Sequence, residues 1–122
     1  MATVDLTKET FQDAINDNEI VFIDFWAPWC GPCKSFAPIY EGVSEKHDDV
    51  VFAKINTEQE QELAASFQIR SIPTLMILRE KIVIFSQAGM LPESALEEVI
   101  RKTKELDMDM VRAEIEEQQE QA

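Results

Sequence analysis

Short runs of apolar residues, mostly β-branched or aromatic, alternate along this chain with longer amphipathic stretches. The runs IVFIDF (20–25) and VVFAKIN (50–56) carry too few polar positions for a half-solvated strand and predict strands covered on both faces. TLMIL and IVIFSQA follow Pro73 and are joined by REK, which predicts an antiparallel hairpin although the joint lacks the usual Gly or Asn. Between these runs the period changes to that of a helix. Thr7 is a suitable N-cap for KETFQDAIND, in which Phe11, Ala14 and Ile15 recur at helical spacing, after a short opening strand at 3–6. Phe36, Ile39, Tyr40 and Val43 define a helix over 33–46, with Pro38 inside it removing one backbone donor. Leu63, Ala64 and Phe67 mark a short acidic helix, and Leu96, Val99, Ile100 and Thr103 line one face of a helix that begins near Pro92. The order β-α-β-α-β-α-β-β-α predicts an α/β domain: a mixed sheet with helices on both faces.

The end of the chain departs from this pattern. DMDMVRAEIEEQQEQA (107–122) holds six acids against one base, and Met108, Val111 and Ile115 fall on one narrow helical stripe. A straight helix would carry that stripe about a quarter-turn away from the core-facing one. The expectation is that the last helix continues past Leu106 at least to about Ile115 and then frays, its second stripe meeting a neighbouring molecule or partner. A disordered acidic end is the alternative.

Composition narrows the function. A chain of 122 residues with 45% hydrophobic content suits one domain with a real core. Its 24 acids against 11 Lys and Arg leave a net charge of -13, which repels nucleic acid and anionic membrane surfaces. The beginning MATVDLTKETFQ has acids early and no apolar stretch of signal-peptide length, and no later run approaches a membrane span. A cytoplasmic protein is expected. A structural disulfide would be out of place there, so two cysteines spaced by two residues point to redox chemistry or to metal.

Both cysteines lie in WAPWCGPCK (26–34). A thiolate pair is half of a zinc site, but only His47 could add a third soft ligand, and within EKHDDV it reads as a solvated surface histidine; metal would need a second chain. Cysteines that act only as small buried hydrophobes are a third reading. The setting favours redox chemistry. Cys30 follows a buried strand and opens a helix, where unpaired N–H groups and the positive end of the helix dipole favour thiolate. Cys33, one turn on, should be more covered, so Cys30 is expected to attack a disulfide and Cys33 to resolve the mixed disulfide. Gly31 lets backbone pass closely beneath a partner, Pro32 occupies a first-turn position that needs no donor, and Trp29 supplies an apolar wall. Trp26 is expected to pack.

With these residues in view the chain resembles a thioredoxin. VFIDFWAPWCGPCK is similar to that family's active-site segment, AKINTEQ to its central strand and turn, RSIPTLMIL to its cis-proline loop, and QAGM to the glycine turn before the last helix. The resemblance covers about residues 3–106, which sets the expected division: 1–106 a thioredoxin domain and 107–122 an acidic C-terminal extension, helical at least in part. It implies a thioredoxin-like mixed sheet, Cys30 and Cys33 as the catalytic pair, and a cis bond between Ile72 and Pro73 lying against them. Asp24 corresponds to the buried carboxylate beneath the active site and Lys54 to the lysine near it. Independently, an acid inside VFIDF should have its pKa raised by desolvation and could accept the proton of Cys33.

The activity so implied is protein disulfide reduction, with an NADPH-dependent thioredoxin reductase and disulfide-bearing proteins as partners, and with no cofactor and no metal on this chain. Substrate would lie along Trp29, Ile72, Pro73, Gly89 and Met90 as an added strand. Weak self-association through the extension is a further expectation. The alternatives are a binding or assembly subunit that uses the same groove without turnover, and a dedicated oxidant or isomerase. The sequence departs from the family where Ser71 replaces a frequent glycine, where Met90 replaces a smaller residue, and in REK. The first two bear on partner choice and leave the chemistry alone.

Overall fold

A computed structural model describes residues 2–121. Five strands form one sheet in the order β1-β3-β2-β4-β5. They are β1 (Thr3–Asp5), β2 (Ile20–Trp26), β3 (Val51–Asn56), β4 (Thr74–Arg79) and β5 (Ile82–Ala88). β1 and β2 run parallel to β3, whereas β4 is antiparallel to both β2 and β5. The central strand β2 has six buried residues in succession before half-buried Trp26, because helices cover both faces of the sheet.

On one face α2 (Gly31–Ser44) and α4 (Glu93–Glu105) pack over Phe22, Phe52, Leu75 and Ile77 through Phe36, Tyr40, Leu96 and Ile100. On the other, α1 (Phe11–Asp17) and α3 (Gln61–Ser66) cover Val21, Ile23, Phe25 and Ile55, with the Phe11 and Phe67 rings tilted against each other, centroids 5.4 Å apart. Each fully covered Phe, Leu or Ile is worth roughly 1.5–3 kcal/mol. The uninterrupted apolar pattern of β2 therefore outweighs the cost of the one carboxylate it encloses. The last helix, α5 (Met108–Gln121), lies beyond α4.

Three expectations are corrected. The cap of α1 is Thr10, not Thr7, because residues 7–10 first make a turn in which the Phe11 and Thr10 N–H groups both donate to Thr7 O at 2.9 and 3.1 Å. The expected antiparallel β4–β5 hairpin forms, but its joint is the two residues Glu80 and Lys81, not the three of REK, because Arg79 still pairs with Ile82. Both turn residues are left-handed (φ 52° and 71°), so the strand pairing and the covered face of β4 override the absence of glycine.

The third correction concerns the end of the chain. The last helix does not continue through Leu106, whose backbone is extended (φ -63°, ψ 132°). Arg79, 14% exposed, donates from Nη1 to Thr103 O and Leu106 O, both at 2.7 Å, and so closes α4. Asp107 then opens α5 by accepting the N–H groups of Asp109 and Met110. This break turns Met108 inward, to 5% exposure, where a straight helix would have carried it off the core. Arg112 ties α5 to Glu80 of the hairpin turn.

Candidate active site

The polypeptide leaves β2 at Trp26 and closes a tight turn in which the Cys30 N–H donates to Ala27 O at 3.2 Å. Cys30 is the N-cap of α2, its backbone extended (φ -85°, ψ 113°), and its Sγ accepts the Cys33 N–H at 3.2 Å. The sulfur thus takes the place a Ser or Asp oxygen holds at other helix starts, among donors that stabilise negative charge. Pro32 sits in the first turn, where no N–H is required. Gly31 has open space where a Cβ would stand, so packing within the chain does not demand glycine. Cys30 and Cys33 form a disulfide with Cα atoms 5.2 Å apart. Their exposures are nearly equal, 4% and 3%, so in this oxidised state coverage does not separate them as the sequence reading expected.

Against this disulfide lies the loop before β4. The Ile72–Pro73 bond is cis, as the resemblance implies, and the Ile72 carbonyl oxygen is 3.7 Å from Cys30 Sγ. Pro73 is buried and Ile72 half-buried. The loop is held by Thr74 Oγ1 donating to Ser71 O, and by the Gly89 N–H donating to Pro73 O at 2.8 Å. Gly89 has φ +96°, a conformation that a side chain would strain. Trp29 and Met90 stand 67% and 40% exposed, the profile of surfaces available to a partner.

Beneath the turn, Asp24 on β2 is fully buried and pairs in register with Lys54 on β3. Burial raises its pKa from 3.8 to about 7, the positive charge of Lys54 only partly offsetting the loss of water. Neither carboxylate oxygen has a hydrogen-bond partner among the described residues. Lys54 Nζ lies 4.8 Å from the centre of the Trp26 ring, so its charge is held over an indole face. Trp26 is half-buried and its carbonyl accepts both the Thr57 N–H and its hydroxyl, which pins the strand end before the cysteines.

Sequence reasoning missed Tyr40. Fully buried in α2, it donates its hydroxyl to Ala53 O at 2.8 Å; burial first, and then the charge of Asp24, raises its pKa. Its helical spacing marked it as core, but nothing local linked it to Asp24.

His47 is not the freely solvated histidine expected from EKHDDV. It is wedged between Glu97, with Nε2 at 2.5 Å from Oε1, and Lys104, with Nζ at 3.1 Å from Nδ1. No cluster of three or more His, Cys, Asp or Glu suited to a metal ion occurs among the described residues. No helix among them is long and apolar enough to cross a membrane.

A CxxC disulfide capping a helix, set against a cis-proline loop on a mixed sheet, defines a thiol–disulfide oxidoreductase. The thioredoxin family model matches residues 2–102. Over 121 residues the chain is 56% identical to "Putative thioredoxin 2" of Streptomyces coelicolor, covering 99% of this chain and 90% of that protein. It is 39% identical over 103 residues to a thioredoxin of Bacillus subtilis, covering 84% of this chain and 98% of the relative. Among solved structures, a Halobacterium salinarum thioredoxin mutant superposes with a TM-score of 0.78 at 32% identity, covering 86% of this chain and 93% of that one. The chain belongs to the thioredoxin family, whose members are disulfide oxidoreductases with a redox-active cysteine pair.

Proposed function

We propose that this protein is a general protein disulfide reductase of the cytoplasm, in which Cys30 is the attacking thiol and Cys33 the resolving one. The observation that carries the reading is Cys30 Sγ at the start of α2, receiving the Cys33 N–H and facing Ile72 O. In the reduced protein the Cys30 thiolate attacks one sulfur of a substrate disulfide, forming a mixed disulfide and releasing the other sulfur as a thiolate. Cys33 then loses its proton and attacks Cys30 Sγ, which closes the intramolecular disulfide and frees the second substrate thiol. Two electrons pass to the substrate, whose released thiolates take their protons from water. Asp24, with a pKa of about 7, takes up the Cys33 proton, and Lys54 keeps that carboxylate from rising further.

Substrate backbone lies along Trp29, Ile72, Pro73, Gly89 and Met90 as an added strand. The family as a whole works with thioredoxin reductase and disulfide-bearing proteins. For this chain we assign the NADPH-dependent reductase as the donor that restores the dithiol. Weak self-association would use exposed Met110 and half-buried Val111 and Ile115 on α5, Met108 being occupied within its own domain.

Insulin reduction coupled to NADPH and thioredoxin reductase tests the proposal. Turnover that needs both cysteines is expected. A folded protein that reduces no disulfide under these conditions would overturn it.

A further inference from the structure

We propose that a shallow cleft beside the cis-proline loop is a subsite for an acidic side chain of the substrate polypeptide, with Arg70 as the residue that recognises it. The proposal rests on the groove assigned above and adds a charge preference to it. The cleft has a volume of about 200 Å³ and is lined by Gln68, Arg70, Ser71, Thr74, Ser86 and Ala88, among others, with no acid in the lining.

The distribution of charge explains it. Residues 26–40, 63–79 and 81–92, which contribute the cysteine turn, the cis-proline loop and the Gly89 turn, contain no Asp or Glu. Lys8, Lys46, Arg79, Arg101, Lys104 and Arg112 each form an ion pair with a carboxylate. Among the described residues Lys34, Lys54, Arg70, Lys81 and Lys102 do not. Lys54 is held over Trp26, and Lys81 and Lys102 belong to the hairpin turn and the last turns of α4, at the far end of the sheet. This leaves Lys34, next to Cys33, and Arg70 as exposed cations on the redox face. The opposite margin of that face is acidic, since Glu60 and Trp26 line a separate cleft.

Arg70 is two residues from Ile72, whose carbonyl faces Cys30, a reach of at most about 7 Å along the chain. A substrate strand paired at Ile72 therefore brings the side chain two or three residues from its reactive cysteine over this cleft. A guanidinium binds carboxylate through two parallel N–H donors, and the hydroxyls of Ser71 and Ser86 add neutral donors. The subsite takes Asp or Glu, and disfavours Lys or Arg, at that position.

The test uses the pre-reduced full chain and symmetrical peptide disulfides that carry Glu, Gln or Lys two residues before, or two residues after, the cysteine. Second-order rate constants for single-turnover reduction are read at about 0.1 M ionic strength, where screening over about 10 Å mutes the overall charge of the chain. In one of the two series the Glu peptide is expected to react about threefold faster than the Lys peptide. Arg70→Glu should bring that ratio below one. Lys102→Glu, the same change in net charge at the far end of the sheet, should leave it in place. A ratio that is equal in both series, or that Lys102→Glu moves as much as Arg70→Glu does, would overturn the subsite alone. Failure of the wild type to reduce even the Gln peptides would overturn the disulfide-exchange reading, and the subsite with it.

Discussion

Asp24 and Lys54 occupy directly paired positions on adjacent parallel strands, yet neither carboxylate oxygen of Asp24 receives a hydrogen bond from the described residues. The pair is electrostatic, not hydrogen-bonded, which is why burial dominates and the carboxyl titrates near 7. A group with that pKa can change protonation state at neutral pH.

The stability consequence has a definite sign. The folded-state pKa lies above the unfolded one, so the fold carries no penalty from Asp24 below about pH 4, a growing penalty from there to about pH 7, and a constant one above. Asp24→Asn should therefore stabilise the protein by up to about 4 kcal/mol at pH 8, shrinking towards zero at pH 4. Urea unfolding of both proteins across that range checks it. The same variant should slow insulin reduction at neutral pH, and an unchanged pH–rate profile would remove Asp24 from the mechanism.

Cys33→Ser should accumulate mixed disulfides at Cys30, since the attacking thiol is kept and the resolving one is lost. Mass spectrometry after incubation with oxidised protein substrates gives the answer. Trapping by Cys30→Ser instead would reverse the assigned roles.

Met90, 40% exposed and placed on the rim of the proposed substrate groove, should matter only to large partners. Met90→Ala is expected to change kcat/KM for some protein disulfides by a few-fold, the scale of about 1 kcal/mol for a partly buried apolar contact, while reduction of 2-hydroxyethyl disulfide stays the same. Uniform loss on both would indicate damage to the domain.

Arg79 closes α4 through Thr103 O and Leu106 O. Arg79→Leu leaves both carbonyls without that donor and should cost about 2–3 kcal/mol by urea unfolding. Loss of helical signal limited to the end of the chain should accompany it. A stability equal to wild type would mean that Met108 and the Arg112–Glu80 pair suffice to seat the extension.

Deleting residues 107–122 removes the buried Met108 side chain and should lower stability by about 2 kcal/mol. Insulin reduction should be nearly unchanged. β2 separates the two regions: Ile20 pairs with Arg79 near the extension, whereas Trp26 leads into the cysteine turn about 20 Å away. Loss of activity in a truncated protein that remains folded would show that the extension shapes the redox face.

The sheet and its helices were legible because burial on both faces of β2 and β4 demands unbroken apolar runs, and helices covering a sheet show a 3.6-residue period. The Cys30–Cys33 turn was legible too, because strand, turn residues and helix start are contiguous. Asp24 stood out as one acid among apolar neighbours. Other features depend on residues distant in sequence. The end of α4 at Leu106 rests on Arg79, 27 positions away, and the surroundings of His47 rest on Glu97 and Lys104. Local signals existed even here, since Asp107 is a good N-cap, but the amphipathic stripe beyond it argued for continuity.

Sequence alone determined the class of fold and the chemical pair, because periodicity and the spacing of two thiols are local properties. Tertiary structure alone decided the environment of that pair. It set Ile72 O against Cys30, aligned Asp24 with Lys54, turned Met108 inward, and left Arg70 without an ion pair among the described residues, beside the proposed groove. Desolvation and charge act through space, and strand register, not chain order, determines which residues they couple.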